Sequence, residues 1–156
     1  MINWENVLNQ LASYPPHVHR ILPPCPAERV ETLEQELGSV PTELAEMLRH
    51  FNGARLFIDG GPLVSIFGVS VIPPLPPLEW SPDWYIDKYT PAWRTFSERS
   101  GDWAIGMMNY GGLVLLSRDN TVLEWDTGQG RFEDVTYSFS EWVEHIMCEG
   151  ATYMSE

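Results

Sequence analysis

His17, His19 and Cys25 stand close together and carry the atoms that ligate zinc. A structural zinc site closes a tetrahedron with four ligands. No further Cys or His pair follows at a useful spacing, so the expectation is a proline-rich loop bearing two exposed histidines. Cys148 and His145 lie three residues apart near the end of the chain, the spacing of neighbours on a helix face. A nucleophile needs its base within hydrogen-bond reach. An amphipathic helix buries or solvates each of these two independently. Glu124, Asp126, Glu133 and Asp134 fall on neighbouring strands or turns, where paired carboxylates could serve acid–base chemistry. In a chain with 22 Asp and Glu, some pairs approach one another by chance. Gly111-Gly112 lacks the longer glycine spacing and the lysine of a phosphate loop, and Lys88 lies elsewhere. The expectation is therefore no catalytic set, no metal and no cofactor.

Binding is the better match to what is present. Glu79-Trp80-Ser81-Pro82-Asp83-Trp84-Tyr85-Ile86-Asp87 places large rings beside carboxylates. Rings anchor a contact and acids orient a basic partner. The expected contact residues are Glu79, Trp80, Asp83, Trp84 and Asp87, together with Glu124, Asp126, Glu133 and Asp134. The charge balance points the same way: 22 acids against 9 Lys and Arg give a formal charge of −13. Nucleic-acid binding rests on cations that displace counterions, so such a surface repels phosphate backbones. It repels anionic lipid for the same reason. It attracts a basic protein and speeds the encounter.

These side chains must be positioned by a mixed fold. The 156 residues fit one domain, and about 70% of the unfolded surface of such a chain is buried on folding. Thirteen prolines and twelve glycines indicate many turns. A first helix is predicted over 3–13, because Trp4, Val7, Leu8 and Leu11 form one apolar stripe. Residues 14–26 hold five prolines and read as an extended connector. A second helix starts near Pro26 and stops at Gly38. A third, capped by Thr42, carries Leu44, Met47, Leu48 and Phe51 inward and ends at Gly53. Residues 55–58 and 63–71 flank Asp59-Gly60-Gly61 as a hairpin.

Pro73, Pro74, Pro76 and Pro77 then make a stiff loop, and a short helix is expected from Pro91 with Trp93 and Phe96 on one side. A meander follows over 103–108, 113–117, 122–125 and 132–135. Ser138 and Glu141 form a capping box for a last helix that Gly150 ends. Trp103, Trp125 and Trp142 belong to the core. The two cysteines read as free thiols, the N-terminus shows no secretory pattern, and no apolar run is long enough to span a membrane. A cytoplasmic protein is expected. The fold class is α+β, with helices on a mostly antiparallel sheet of about six strands.

The order of these motifs resembles the SUKH superfamily. Leu37-Gly38-Ser39-Val40-Pro41 runs through Leu44, Leu48 and Phe51 to Asn52-Gly53, a helix ending in Gly, a Pro-initiated helix, then Asn-Gly. Gly101-Asp102-Trp103-Ala104-Ile105-Gly106 is followed by Gly111-Gly112 and by Val122-Leu123-Glu124-Trp125-Asp126. Ser138-Phe139 with Trp142 opens the closing helix. The resemblance covers residues 27–148; Val40 stands where the family usually has Leu. It implies an α+β fold and no shared catalytic residues. In bacteria it implies an immunity protein that neutralises a partner toxin, frequently a nuclease. The alternative is a regulatory or scaffold interaction domain with no toxin partner.

Overall fold

The computed structural model describes residues 2–71 and 85–155. The element order is α1 (Trp4–Ala12), β1 (Arg20–Ile21), α2 (Ala27–Leu37), α3 (Thr42–His50), β2 (Ala54–Ile58) and β3 (Pro62–Ile66). Then come α4 (Ile86–Ser97), β4 (Trp103–Met108), β5 (Gly112–Leu116), β6 (Thr121–Asp126), β7 (Arg131–Phe132), β8 (Tyr137–Ser138) and α5 (Phe139–Ser155). Among the described residues, eight strands join one antiparallel sheet in the order β1 to β7, with β8 also paired to β6. The expected α+β class holds. The sheet has two more strands than expected because β1 and β8 are two-residue segments inside stretches with no strand periodicity.

The connector between α1 and α2 is not free. It runs beside β2: Ile58 N–H donates to Val18 O at 2.8 Å, and Leu22 N–H to Gly53 O at 3.1 Å. His19, expected to be exposed, fills the gap in this ladder. Its Nδ1 accepts the Phe57 N–H at 3.0 Å, and its ring packs edge-on between Tyr14 and Phe57. Burial holds its pKa below the usual value. His17 is exposed as expected. Phe57 itself has φ +54°, a conformation that a bulky residue adopts only where its surroundings impose it. Its ring lies where a Cβ on Gly150 would be.

That contact corrects the reading of Gly150. The glycine does not end α5; it lets the helix approach Phe57, and α5 continues to Ser155. Tyr153 holds the last turn, with its hydroxyl within hydrogen-bond distance of the carbonyls of Asp59 and Gly61. The capping box at the other end forms as expected. Ser138 N–H donates to Glu141 Oε1 at 2.9 Å, and Glu141 N–H to Ser138 Oγ at 3.2 Å.

Two other helix starts differ from expectation. Pro41, not Thr42, occupies the N-cap of α3. Helix α4 begins at Ile86, and Pro91 lies inside it. Past the first turn, a proline removes one backbone bond of the helix. The first turn is secured from outside by Ile86 N–H donating to Gly68 O at 2.8 Å. The second strand of the first hairpin is shorter than expected. It stops at Ile66, and the chain turns to meet Asn52.

The core runs through both faces of the sheet. Leu44, Met47, Leu48, Phe67, Ile105, Val114, Leu115 and Phe139 are fully buried. Trp4 joins three elements, with its ring centroid 5.4 Å from Phe51 and 6.2 Å from Phe139. Trp103 and Trp142 are core residues as expected. Trp125 is half-buried and packs against Trp93 of α4, while its neighbour Glu124 senses His145 of α5. Successive strand residues face opposite ways, so α4 and α5 cover opposite faces.

Asn52-Gly53 ties the helical half to the sheet. The buried Asn52 amide donates to Val69 O at 2.9 Å, and its Oδ1 accepts Val69 N–H at 2.7 Å. Gly53, at φ +93°, lets this backbone come against Gly68. Replacing Asn52 with Ala strands two buried backbone groups. The expected cost is about 3 kcal/mol of unfolding free energy, read from urea denaturation. A loss below about 0.5 kcal/mol would contradict this role.

Candidate partner-binding surface

Three arginines of this chain, Arg29, Arg94 and Arg99, are engaged within the fold. Arg29 donates through Nε to Ser70 O at 2.7 Å and through Nη2 to Asp87 Oδ2 at 3.1 Å. Arg94 donates to the carbonyls of Asp102 at 2.8 Å and Leu37 at 2.7 Å, and lies 4.7 Å over the Trp103 ring. Arg99 pairs with Asp102 at 2.6 Å and covers Phe132. Asp102, 3% exposed, also accepts the Trp93 indole N–H at 3.0 Å.

Buried charges need such partners, since an unpaired charge away from water is costly. Many acids face outward, and of these Glu36 lies 3.9 Å from Arg29. Glu28, Glu31, Glu34 and Glu36 on α2, and Glu133, Asp134, Glu141, Glu144 and Glu149, are exposed.

The expected contact residues therefore sort into three groups. Glu79, Trp80, Asp83 and Trp84 lie outside the described residues. Asp87 faces inward: its side chain is 5% exposed and accepts from Arg29, the Ser70 amide at 2.9 Å and the Ser70 hydroxyl. It fixes α4 to α2 and the segment after β3. Glu124, Asp126, Glu133 and Asp134 do come together on the β6–β7 ribbon. Asp126 stands across from Arg131, and the Glu133 N–H donates to Glu124 O at 2.8 Å. Asp126 Oδ1 accepts the amides of Gly128 and Gln129, which closes the turn. Glu133 and Asp134 project into solvent.

Glu124 is the least comfortable of these acids. Its carboxylate is half-buried and its Oε1 has no partner. Burial pushes its pKa above the usual glutamate value; Glu133 and Asp126 add to this, while the Tyr110 hydroxyl and His145 oppose it. Burial and the same contact raise the Tyr110 hydroxyl in turn. His145 stacks on Tyr137 with centroids 4.9 Å apart.

The other face of the ribbon is aromatic. Trp125 and Phe132 are cross-strand partners with rings 4.9 Å apart, and Trp93 meets both from α4. Phe96 completes the cluster but is 68% exposed. Sequence spacing put Phe96 beside Trp93 on one side of the helix. In the structure it overhangs the edge in the last turn of α4, and nothing in the sequence distinguishes the two positions.

The model of the SMI1 / KNR4 family (SUKH-1) matches residues 24–145. The chain belongs to this family. Curated proteins gave no match. Membership makes the chain a protein-interaction domain. The SUKH-1 match spans α2 through the first turns of α5, so the Asn52 clamp, the Asp102 network and the β6–β7 ribbon all lie within it.

Among the described residues no three His, Cys, Asp or Glu side chains converge on a metal position. Cys25 and Cys148 are both free thiols, and burial pushes the Cys25 thiol up to about 11. Cys148 is exposed while His145 is engaged with Tyr137. No helix among the described residues is long and apolar enough to cross a membrane.

The strain at Glu124 has a pH signature. A carboxyl whose folded pKa is raised favours the protonated folded state. Its penalty is absent below the unfolded value near 4.5 and appears as pH rises through the folded one. Glu124→Gln is expected to raise the melting temperature at pH 7 and to match the parent near pH 4, read by calorimetry. A variant less stable at pH 7 would contradict the assignment.

Proposed function

We propose that this chain is a cytoplasmic immunity protein, acting as one domain, that neutralises a partner toxin by covering its basic active-site surface. The mechanism is occlusion, with no catalysis by the chain itself. The observation that carries this reading is the surplus of outward acid: Arg29, Arg94 and Arg99 are bound within the fold, while Glu28, Glu31 and Glu34 of α2, Glu133 and Asp134 of the ribbon and Glu141, Glu144 and Glu149 of α5 face solvent. A nuclease groove is lined with cations that hold phosphates. An acidic domain competes for the same cations and excludes substrate by its bulk. Membership in SUKH-1 supports the reading, because immunity is a common role in that family.

The test takes the product of the adjacent gene, assayed first for nuclease or other toxic activity. Titrating the chain into that enzyme is expected to abolish activity at one equivalent. Reversing Glu133→Lys and Asp134→Lys together is expected to slow association about tenfold at low ionic strength and little at high salt. Retained enzyme activity at saturating chain would refute neutralisation. Unchanged association by the double reversal would move the contact off the ribbon.

A further inference from the structure

We propose that Arg99 and Arg118 form an oxyanion notch that takes one carboxylate side chain of the partner protein and so sets the register in which this acidic chain docks. This rests on the reading of the chain as a partner-binding domain and goes beyond it, because the contact has the opposite sign to most of the surface.

Cations converge at this place. Trp103 pairs with Leu116, which brings Gly101 and Asp102 beside Ser117 and Arg118. Between the loop after α4 and the β5–β6 turn lies an open recess of about 520 Å³, lined by Arg99, Ser100, Gly101, Ser117 and Arg118 together with Asp102 and Asp119. Arg94 stands behind it, bonded to the Asp102 carbonyl. Burial lowers the pKa of Arg94; Asp102 opposes this and Arg118 adds to it, so Arg118 is close enough to act on Arg94.

Arg118 is exposed but seated. A Cβ on Gly101 would fall 2.6 Å from Arg118 Nε and 3.2 Å from its Cζ. Gly101 has no left-handed backbone to account for it, so what the glycine supplies is room for this guanidinium. Among the described residues Arg118 has no ion pair.

The two acids of the recess are already committed. Asp102 accepts from Arg99 Nε at 2.6 Å and from the Trp93 indole at 3.0 Å. Asp119 accepts the Ser117 hydroxyl and, at 3.3 Å, the Thr121 N–H, which closes its own turn. Glu98, the next acid along the chain, does not line the recess. Arg99 spends only Nε on Asp102, so its Nη groups and those of Arg118 remain to donate. A guanidinium fork matches a carboxylate through two parallel N–H···O bonds.

The total charge of the chain selects the kind of anion. A phosphate polymer meets the whole charge of −13 and is repelled. A single carboxylate carried on a cationic protein meets the attraction of the acidic surface and of the notch together. A contact of reversed sign also penalises wrong registers, since like charges then face each other.

The test is an NMR titration of the isotope-labelled full chain with two capped tripeptides, Gly-Asp-Gly and Gly-Asn-Gly, at constant ionic strength. Saturable shifts at the Arg99 and Arg118 side-chain N–H groups and the Gly101 amide are expected with the aspartate peptide, at about tenfold lower concentration than with the asparagine peptide. Arg118→Gln should remove that difference. Equal response to both peptides, no response, or an aspartate preference that survives Arg118→Gln would overturn the proposal. Arg118→Glu gives a second readout in the complex with the adjacent gene's product. The variant is more acidic, so general attraction to a cationic protein would speed association and tighten binding. The notch instead predicts dissociation about tenfold faster. Unchanged or slower dissociation would discard the notch while leaving neutralisation standing. Failure of the parent chain to inhibit that product would sink the neutralisation reading alone, since the peptide titration does not involve it.

Discussion

A buried carboxylate must be answered, and in this molecule the answer to Asp102 organises much of the rest. Its side chain receives the Trp93 indole and the Arg99 guanidinium, and its carbonyl receives Arg94. Arg94 reaches on to the end of α2 at Leu37, and Arg99 spreads over Phe132 of the ribbon. Thus one acid near the start of β4 links α2, α4 and the sheet edge. A second inward acid, Asp87, does the same between α2, α4 and the segment after β3 through Arg29 and Ser70. Breaking either network by removing one partner leaves a charge without compensation, which is costlier than the pair is favourable.

The outward consequence follows from the count of cations. Nine Lys and Arg serve a chain with 22 acids, and the arginines bound in these networks cannot also neutralise the surface. Each inward pair takes an acid with its arginine, so the surplus of acids in the sequence is carried by the exterior. The same packing supplies rigid rings: Trp93 is pinned by Asp102, Trp125 and Phe132 pair across strands, and Phe96 rests on them. The ribbon thus carries fixed aromatics on one face and carboxylates on the other; in a protein contact rings give residence time and charge gives encounter rate.

Local signals were legible where a side chain and its own backbone decide the outcome. The stripe of Trp4, Val7, Leu8 and Leu11 and the Ser138–Glu141 box both read correctly. What was not legible depended on contacts distant in sequence. Gly150 looks like a helix stop until Phe57 is seen against it. Pro91 looks like a helix start until Ile86 is seen bound to Gly68. His19 looks like a loop residue until Phe57 is found lacking another acceptor. The candidate surface divides the same way. The ribbon acids were found by proximity in sequence, Asp87 turned inward because Arg29 is brought to it, and the exposure of Phe96 depends on where α4 overhangs the sheet.

The central claim is that the uncompensated negative exterior of this SUKH-1 domain serves to meet a cationic protein. The most direct measurement is the association rate with a cationic protein captured as its partner, across ionic strength, followed by stopped flow. A fall of about tenfold or more between low and physiological salt, with dissociation little changed, is the predicted result. An association rate that does not respond to salt would contradict the account.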